Sequence, residues 1–184
     1  MWADAGTWAQ HCMSSKFQSS FCRPMAEKVP MLRLDPLSEK NMLAFENLSQ
    51  HYEAEFSSLT RKEPDSSGRY AITSAKKVDW GYLCFDATDI PVGFLLCKIY
   101  GEIFDVAEFY VIPTRRRAGV GKWMAQQMFD LHPGRWQVKQ ISGADRAYDF
   151  WMNMISEYTA GKFENTMEPS PMWGSVRVQR FSSR

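Results

Sequence analysis

An apolar run, Tyr110-Val111-Ile112, ends at Pro113 and leads through three consecutive arginines, Arg115 to Arg117, to two glycines one residue apart, Gly119 and Gly121, and then Lys122. From Val120 onward, Trp123, Met124, Met128 and Leu131 recur at helical spacing. That order predicts a strand feeding a turn and the turn feeding a helix. A helix start carries unpaired N–H groups and about half a positive charge, so a diphosphate is a natural ligand there. Glycines let the backbone approach the anion with no Cβ in the way. The arginines are expected to point at the same anion.

Two common phosphate loops do not fit. A Walker A loop needs a glycine five residues before its Gly-Lys pair and a hydroxyl after it. Here Arg116 stands at the first position and Trp123 at the second. A dinucleotide fingerprint needs three glycines and an acidic ribose partner about twenty residues on. Only Gly119 and Gly121 are present, and Ile141 to Gly143 occupy the acid's place.

Arg116-Arg117-Ala118-Gly119-Val120-Gly121 does match Arg/Gln-x-x-Gly-x-Gly/Ala, and the preceding Glu108-Phe109-Tyr110-Val111-Ile112-Pro113 looks like the strand that goes with it. In this combination the chain resembles the GNAT superfamily of acyl-CoA-dependent N-acetyltransferases. Pro133-Gly134-Arg135-Trp136 and Phe150-Trp151 also resemble a little-studied branch of that superfamily.

Composition narrows the alternatives. The 184 residues suffice for one domain with its own core. Basic and acidic residues nearly balance, 22 against 21, so no global field marks a nucleic-acid or membrane binder. No apolar run reaches the ~18 residues of a membrane-spanning helix. Cys12, Cys22, Cys84 and Cys97 lack metal-ligand spacing. Cys84 and Cys97 lie in strand-like runs, where a thiol serves as a small hydrophobe. No metal is expected, and the cytoplasm is the natural setting.

Residues 1–29 lack periodicity and read as an extension of undecided order, with the domain from 30 to 184. Met31 to Asp35 predicts a strand, and Ser38 a cap for the next helix. That helix presents Phe45, Leu48, Tyr52, Phe56 and Leu59 on one face. The breaker-rich stretch 60–69 predicts a loop. Strands are expected at Tyr82 to Asp86, Val92 to Tyr100, Val106 to Ile112, Trp136 to Ile141 and Gly174 to Phe181. Ala147, Phe150, Trp151, Met154, Ile155 and Tyr158 trace a last amphipathic helix.

The resemblance implies an α/β (α+β) fold from about residue 31 onward. Its central sheet is mixed and mostly antiparallel, splayed between the fourth and fifth strands, with helices on both faces. It implies acetyl-CoA as co-substrate. Backbone amides of Arg116, Arg117, Ala118, Gly119, Val120 and Gly121, with an Arg116 or Arg117 side chain, would hold the diphosphate, and Lys122 would reach a phosphate or solvent. The backbones of Phe109 and Val111 would pair with the pantetheine arm. Glu108 is the candidate base, with pairing to a basic side chain, or only orienting the substrate, as the alternative. Relatives carry a tyrosine acid where Trp151 stands, and an asparagine where Ala144 stands. Tyr158 is the candidate replacement acid, with packing as its other role. Asp105 reads as a strand-edge residue, and His132 as a helix C-terminal cap. The acceptor is expected to be an amine of a small molecule or peptide, with no membrane or nucleic-acid partner. A homodimer is left open.

Overall fold

The computed structural model describes residues 31–72 and 78–184. The extension at 1–29 lies outside the described residues. Seven strands form one sheet in the order β1-β2-β3-β4-β5-β7-β6. They are β1 Arg33–Pro36, β2 Trp80–Phe85, β3 Pro91–Tyr100, β4 Ile103–Val111, β5 Arg135–Ile141, β6 Glu164–Ser170 and β7 Gly174–Ser182. Neighbours are antiparallel throughout, except that β4 and β5 run parallel. The described residues also form three α-helices: α1 Met42–Thr60, α2 Val120–Leu131 and α3 Asp145–Tyr158.

The helices divide between the two faces of the sheet. Phe45 and Leu48 of α1 bury against Leu83, Phe94, Leu96 and Tyr110. On the other face Met124, Met128 and Phe129 of α2 and Trp151, Met154 and Ile155 of α3 pack on Leu95, Val106, Trp136 and Val138. Phe94 is central to the first layer, with ring centroids 5.1 Å from Phe45 and 5.7 Å from both Tyr52 and Tyr110. Burying such a ring contributes ~1.5–3 kcal/mol, so α1 is held firmly over the middle of β4.

Some local expectations need correction. Ser38 does not cap α1: the N-cap is Asn41, and its Oδ1 accepts from the Ser38 amide at 2.8 Å. Ala147 and Leu59 are exposed rather than part of their apolar stripes. The strand β6 was not foreseen, because Glu-Asn-Thr-Met-Glu-Pro-Ser is polar and carries a proline. It forms as an edge strand on β7, where a missing N–H facing solvent is tolerated.

The Glu168–Arg180 ion pair ties β6 to β7. Arg180, and after it Thr166, hold the Glu168 carboxyl down at about 2. A lowered folded pKa means the pair stabilises above the ordinary glutamate range near 4.3 and loses its effect as pH falls towards about 2. Urea midpoints of the parent and Glu168→Gln are therefore expected to differ at pH 6 and converge by about pH 2. A pH-independent difference would contradict this.

Candidate active site

The site is organised by one irregularity in β4. In the β3–β4 register Leu96 faces Glu108 but Cys97 faces Val106, so Ala107 is an extra, bulged residue. Pairing of β4 with β5 runs from Ile103–Arg135 only to Val106–Val138 and stops at that bulge. Beyond it, residues 107–111 of β4 have no strand partner on the β5 side among the described residues. This is the splay implied by the resemblance.

The register also shows which backbone groups face that gap. The Ile112 amide donates to the Val92 carbonyl at 2.9 Å. Antiparallel pairs alternate between bonded and non-bonded, so Tyr110 and Glu108 spend their backbone groups on β3. Phe109 and Val111, opposite Leu95 and Gly93, turn theirs to the open edge. The Val111 carbonyl there accepts from Arg116 Nε at 2.8 Å.

After β4 a short 3₁₀ turn, Pro113–Arg115, leads to α2. Arg117 and Gly119 both have left-handed backbones, φ 62° and 77°. Gly119 is the N-cap, and no side chain caps the helix. The Trp123 amide, donating to the Gly119 carbonyl at 2.9 Å, makes the first intrahelical bond. The amides of Val120, Gly121 and Lys122 precede it and have no helical acceptor. A Cβ built on Gly119 would meet nothing within 4 Å, so this helix start is open. At Gly121 a Cβ would come 3.4 Å from Phe150 and 3.6 Å from Phe109, so α3 and β4 close in on its other side.

The three arginines diverge, contrary to the sequence expectation. Arg115 reaches Asp86 at 2.7 Å, in the turn between β2 and β3. Arg116 forks onto both Glu55 oxygens at 2.9 Å and lies over the Tyr110 ring. Arg117 forms no ion pair among the described residues and points from an exposed position. Any contact of Arg116 with an anion in this arrangement is through its backbone. Lys122 is paired with Glu157 of α3.

Glu108 lies half-buried on the α1 face of β4 and accepts a hydrogen bond from the Tyr52 hydroxyl. Burial, and then the charge of Glu108, push the Tyr52 phenol well above its usual range. Tyr52 therefore stays protonated across ordinary pH and serves Glu108 as a donor. Replacing Tyr52 with Phe removes a bond to the charged form of the carboxylate.

Outward from Glu108 the surface is aromatic. Tyr52 stacks on Phe56 at 5.5 Å, and Phe56 meets Trp173 of the β6–β7 turn at 6.3 Å. Sequence periodicity placed Tyr52 and Phe56 in a core stripe; the hydroxyl on that stripe was the one signal that Tyr52 does more.

The structure does not bring Tyr158 to this place. Its hydroxyl donates to Asp130 at 2.7 Å, near the C-terminal end of α2, and burial with Asp130 pushes its phenol up to about 12. Asp130 lies nine residues beyond Gly121, some ~13 Å along the helix. Trp151 is buried at 4 % exposure, its ring 4.9 Å from Phe109. Tyr148 accepts from Asn165 at 2.9 Å. Asp105 is not an edge residue: it is buried and accepts from Gln137 and Lys139. His132 is the C-cap residue of α2, its amide donating to the Met128 carbonyl at 3.2 Å. It stacks on Trp80 at 4.0 Å and shares a hydrogen bond with Tyr82, and burial lowers its pKa. No group among the described residues could hold a metal ion, and no described helix is long and apolar enough to cross a membrane.

No protein-family profile and no curated protein matches the sequence. Solved structures are similar in fold. Naa50 of Arabidopsis thaliana, in complex with the bisubstrate analogue CoA-Ac-MVNAL, is 15% identical over 82% of this chain and 98% of its own, with TM-score 0.55. The spermidine/spermine N-acetyltransferase SpeG from Vibrio cholerae is 9% identical over 83% and 94%, with TM-score 0.55. The ribosomal-protein-S18-alanine N-acetyltransferase from Escherichia coli is 11% identical over 83% and 94%, with TM-score 0.53. At these identities the likeness is one of fold, and the fold is the one implied by the sequence resemblance.

Proposed function

We propose that this chain, whose fold is that of the GNAT acetyltransferases, transfers an acetyl group from acetyl-CoA to a primary amine of a small molecule or peptide. The observation that carries this reading is a coincidence in space. An uncapped helix start, an open strand edge and a carboxylate all meet within residues 108–122.

Each part answers a physical requirement of the reaction. The amides of Val120, Gly121 and Lys122, reached past the bare Gly119, suit a diphosphate. The outward groups of Phe109 and Val111 suit an extended arm that adds to the edge like a strand. A backbone amide on that edge can donate to the thioester oxygen as it gains charge, a contact worth ~3 kcal/mol in other acyl transfers. Glu108 takes the proton that the ammonium must lose before its nitrogen attacks; the new C–N bond forms as the C–S bond breaks, the thiolate leaves, and the nitrogen's second proton passes through water to the thiolate to give amide and free thiol. Tyr52 orients the Glu108 carboxylate. The aromatic path through Tyr52, Phe56 and Trp173 would bear the remainder of the acceptor.

A second reading, an acyl-CoA-binding sensor with little turnover, is favoured by the burial of Trp151 where relatives carry an acid and by the engagement of Tyr158 with Asp130. A thiolate leaves tolerably into water, so we hold the enzyme reading first. Mass spectrometry of an amine and peptide panel incubated with acetyl-CoA decides between them. Acetylated product above the uncatalysed background supports transfer; cofactor binding without product supports the sensor.

A further inference from the structure

The turn between β6 and β7 carries Pro171, Met172 and Trp173. Met172 is 76 % exposed and Trp173 41 %. Such a turn asks for polar residues and glycine, and Gly174, with φ 72°, already supplies the left-handed position. Apolar area left in water at this tip contributes nothing to the fold, and joined to other exposed apolar groups it marks a contact surface. Trp173 meets Phe56 of α1, although the sheet order sets β5 between β4, on which α1 packs, and β7. Leu59, further along α1, is also exposed, and it would lie 3.2 Å from a Cβ added at Gly143, just past β5. The end of α1 and the β6–β7 turn therefore bracket the α1 side of the splay. Phe56 begins this apolar surface one helical turn, ~6 Å, beyond Tyr52, whose hydroxyl bonds Glu108.

Charge points the same way. The carboxylates on α1 between Tyr52 and Leu59 are Glu53 and Glu55. Lys62 pairs with Glu53 at 2.8 Å, and Arg116 pairs with Glu55 at 2.9 Å. A second ammonium on the acceptor would find both carboxylates already answered by a cation. We infer that the acceptor is a monoamine carried on a flat apolar body, and that Trp173 is the specificity-determining residue that bears its ring. This assignment rests on the acetyl-transfer reading above and names the substrate class of that site. A matching probe is 2-phenylethylamine, which has one ammonium and one ring.

The test measures thiol release at saturating acetyl-CoA with 2-phenylethylamine, n-propylamine, spermidine and triglycine, in the parent, Trp173→Ala and Trp173→Phe. In the parent, kcat/KM for 2-phenylethylamine is expected to exceed each of the others by about tenfold or more. Trp173→Ala is expected to cut that value about tenfold, chiefly by raising KM, while n-propylamine turnover and acetyl-CoA affinity stay within about twofold. Trp173→Phe keeps a ring in place and is expected to stay within about threefold of the parent. Equal or better use of n-propylamine, spermidine or triglycine overturns the inference. So does an equal loss on 2-phenylethylamine and n-propylamine in Trp173→Ala with a lowered Tm, which marks a structural role. Product from spermidine or triglycine alone fails the inference and leaves acetyl transfer standing. Acetyl-CoA bound with none of the four amines acetylated fails the inference together with the transfer reading and favours the sensor.

Discussion

Glu108→Gln is expected to lower turnover by about 10²- to 10⁴-fold at neutral pH while leaving acetyl-CoA affinity within about twofold. The split follows from where the carboxylate sits. Glu108 faces α1 and accepts from Tyr52, whereas the outward backbone groups of Phe109 and Val111 and the start of α2 are positioned without its side chain. The amide is nearly isosteric and still accepts from the Tyr52 hydroxyl, so the packing of Tyr52 on Phe94 and Phe56 survives. It cannot take a proton from an ammonium. The loss should shrink as pH rises and the acceptor amine deprotonates in solution. Stopped-assay kinetics across pH, with cofactor affinity by calorimetry, check both halves. Unchanged turnover would remove Glu108 as base and leave positioning as its role.

Gly119→Val has the second largest expected effect, and it acts on the cofactor rather than on the chemistry. Gly119 holds φ 77°, where a β-branched residue costs ~1–2 kcal/mol or more in backbone strain. No atom lies within 4 Å of the added Cβ, so the valine meets open space rather than the core. The domain should therefore fold with an unchanged circular dichroism spectrum and a modestly lower Tm. The branched side chain then stands in front of the amides of Val120 and Gly121. Affinity for acetyl-CoA and for free CoA is expected to fall at least tenfold, ~1.4 kcal/mol, and equally for both, because the diphosphate is common to them. Loss of acetyl-CoA binding with free CoA unaffected would contradict an anion cradle at this position.

Local pattern carried most of this architecture. Apolar alternation and helical spacing lie within a few residues of each other, so α1, α2, α3 and six of the strands could be read directly. The glycine pair and the strand before it located the open edge and the bare helix start. What escaped the sequence is long-range pairing. Arg116 and Glu55 are 61 residues apart in the chain, and Tyr52 and Glu108 are 56 apart. Nothing in a run of three arginines says that one will turn back over α1 while its neighbour reaches the β2–β3 turn. The strand β6 escaped because its stability comes from pairing with β7 and from Glu168–Arg180, not from its own residue preferences. Tyr158 had the right residue type on the right helix face. Its distance from the Gly119–Gly121 turn depends on α2 and α3 running side by side, with Phe150 against Gly121 and Tyr158 against Phe129, which a helical wheel does not show.

The central claim is that residues 108–122 form an acyl-CoA site. Calorimetric titration of the full chain with acetyl-CoA tests it most directly. The account predicts one site per chain with micromolar affinity, weakened by Gly119→Val and untouched by Glu108→Gln. No saturable binding at millimolar acetyl-CoA, or binding indifferent to Gly119→Val, would contradict it.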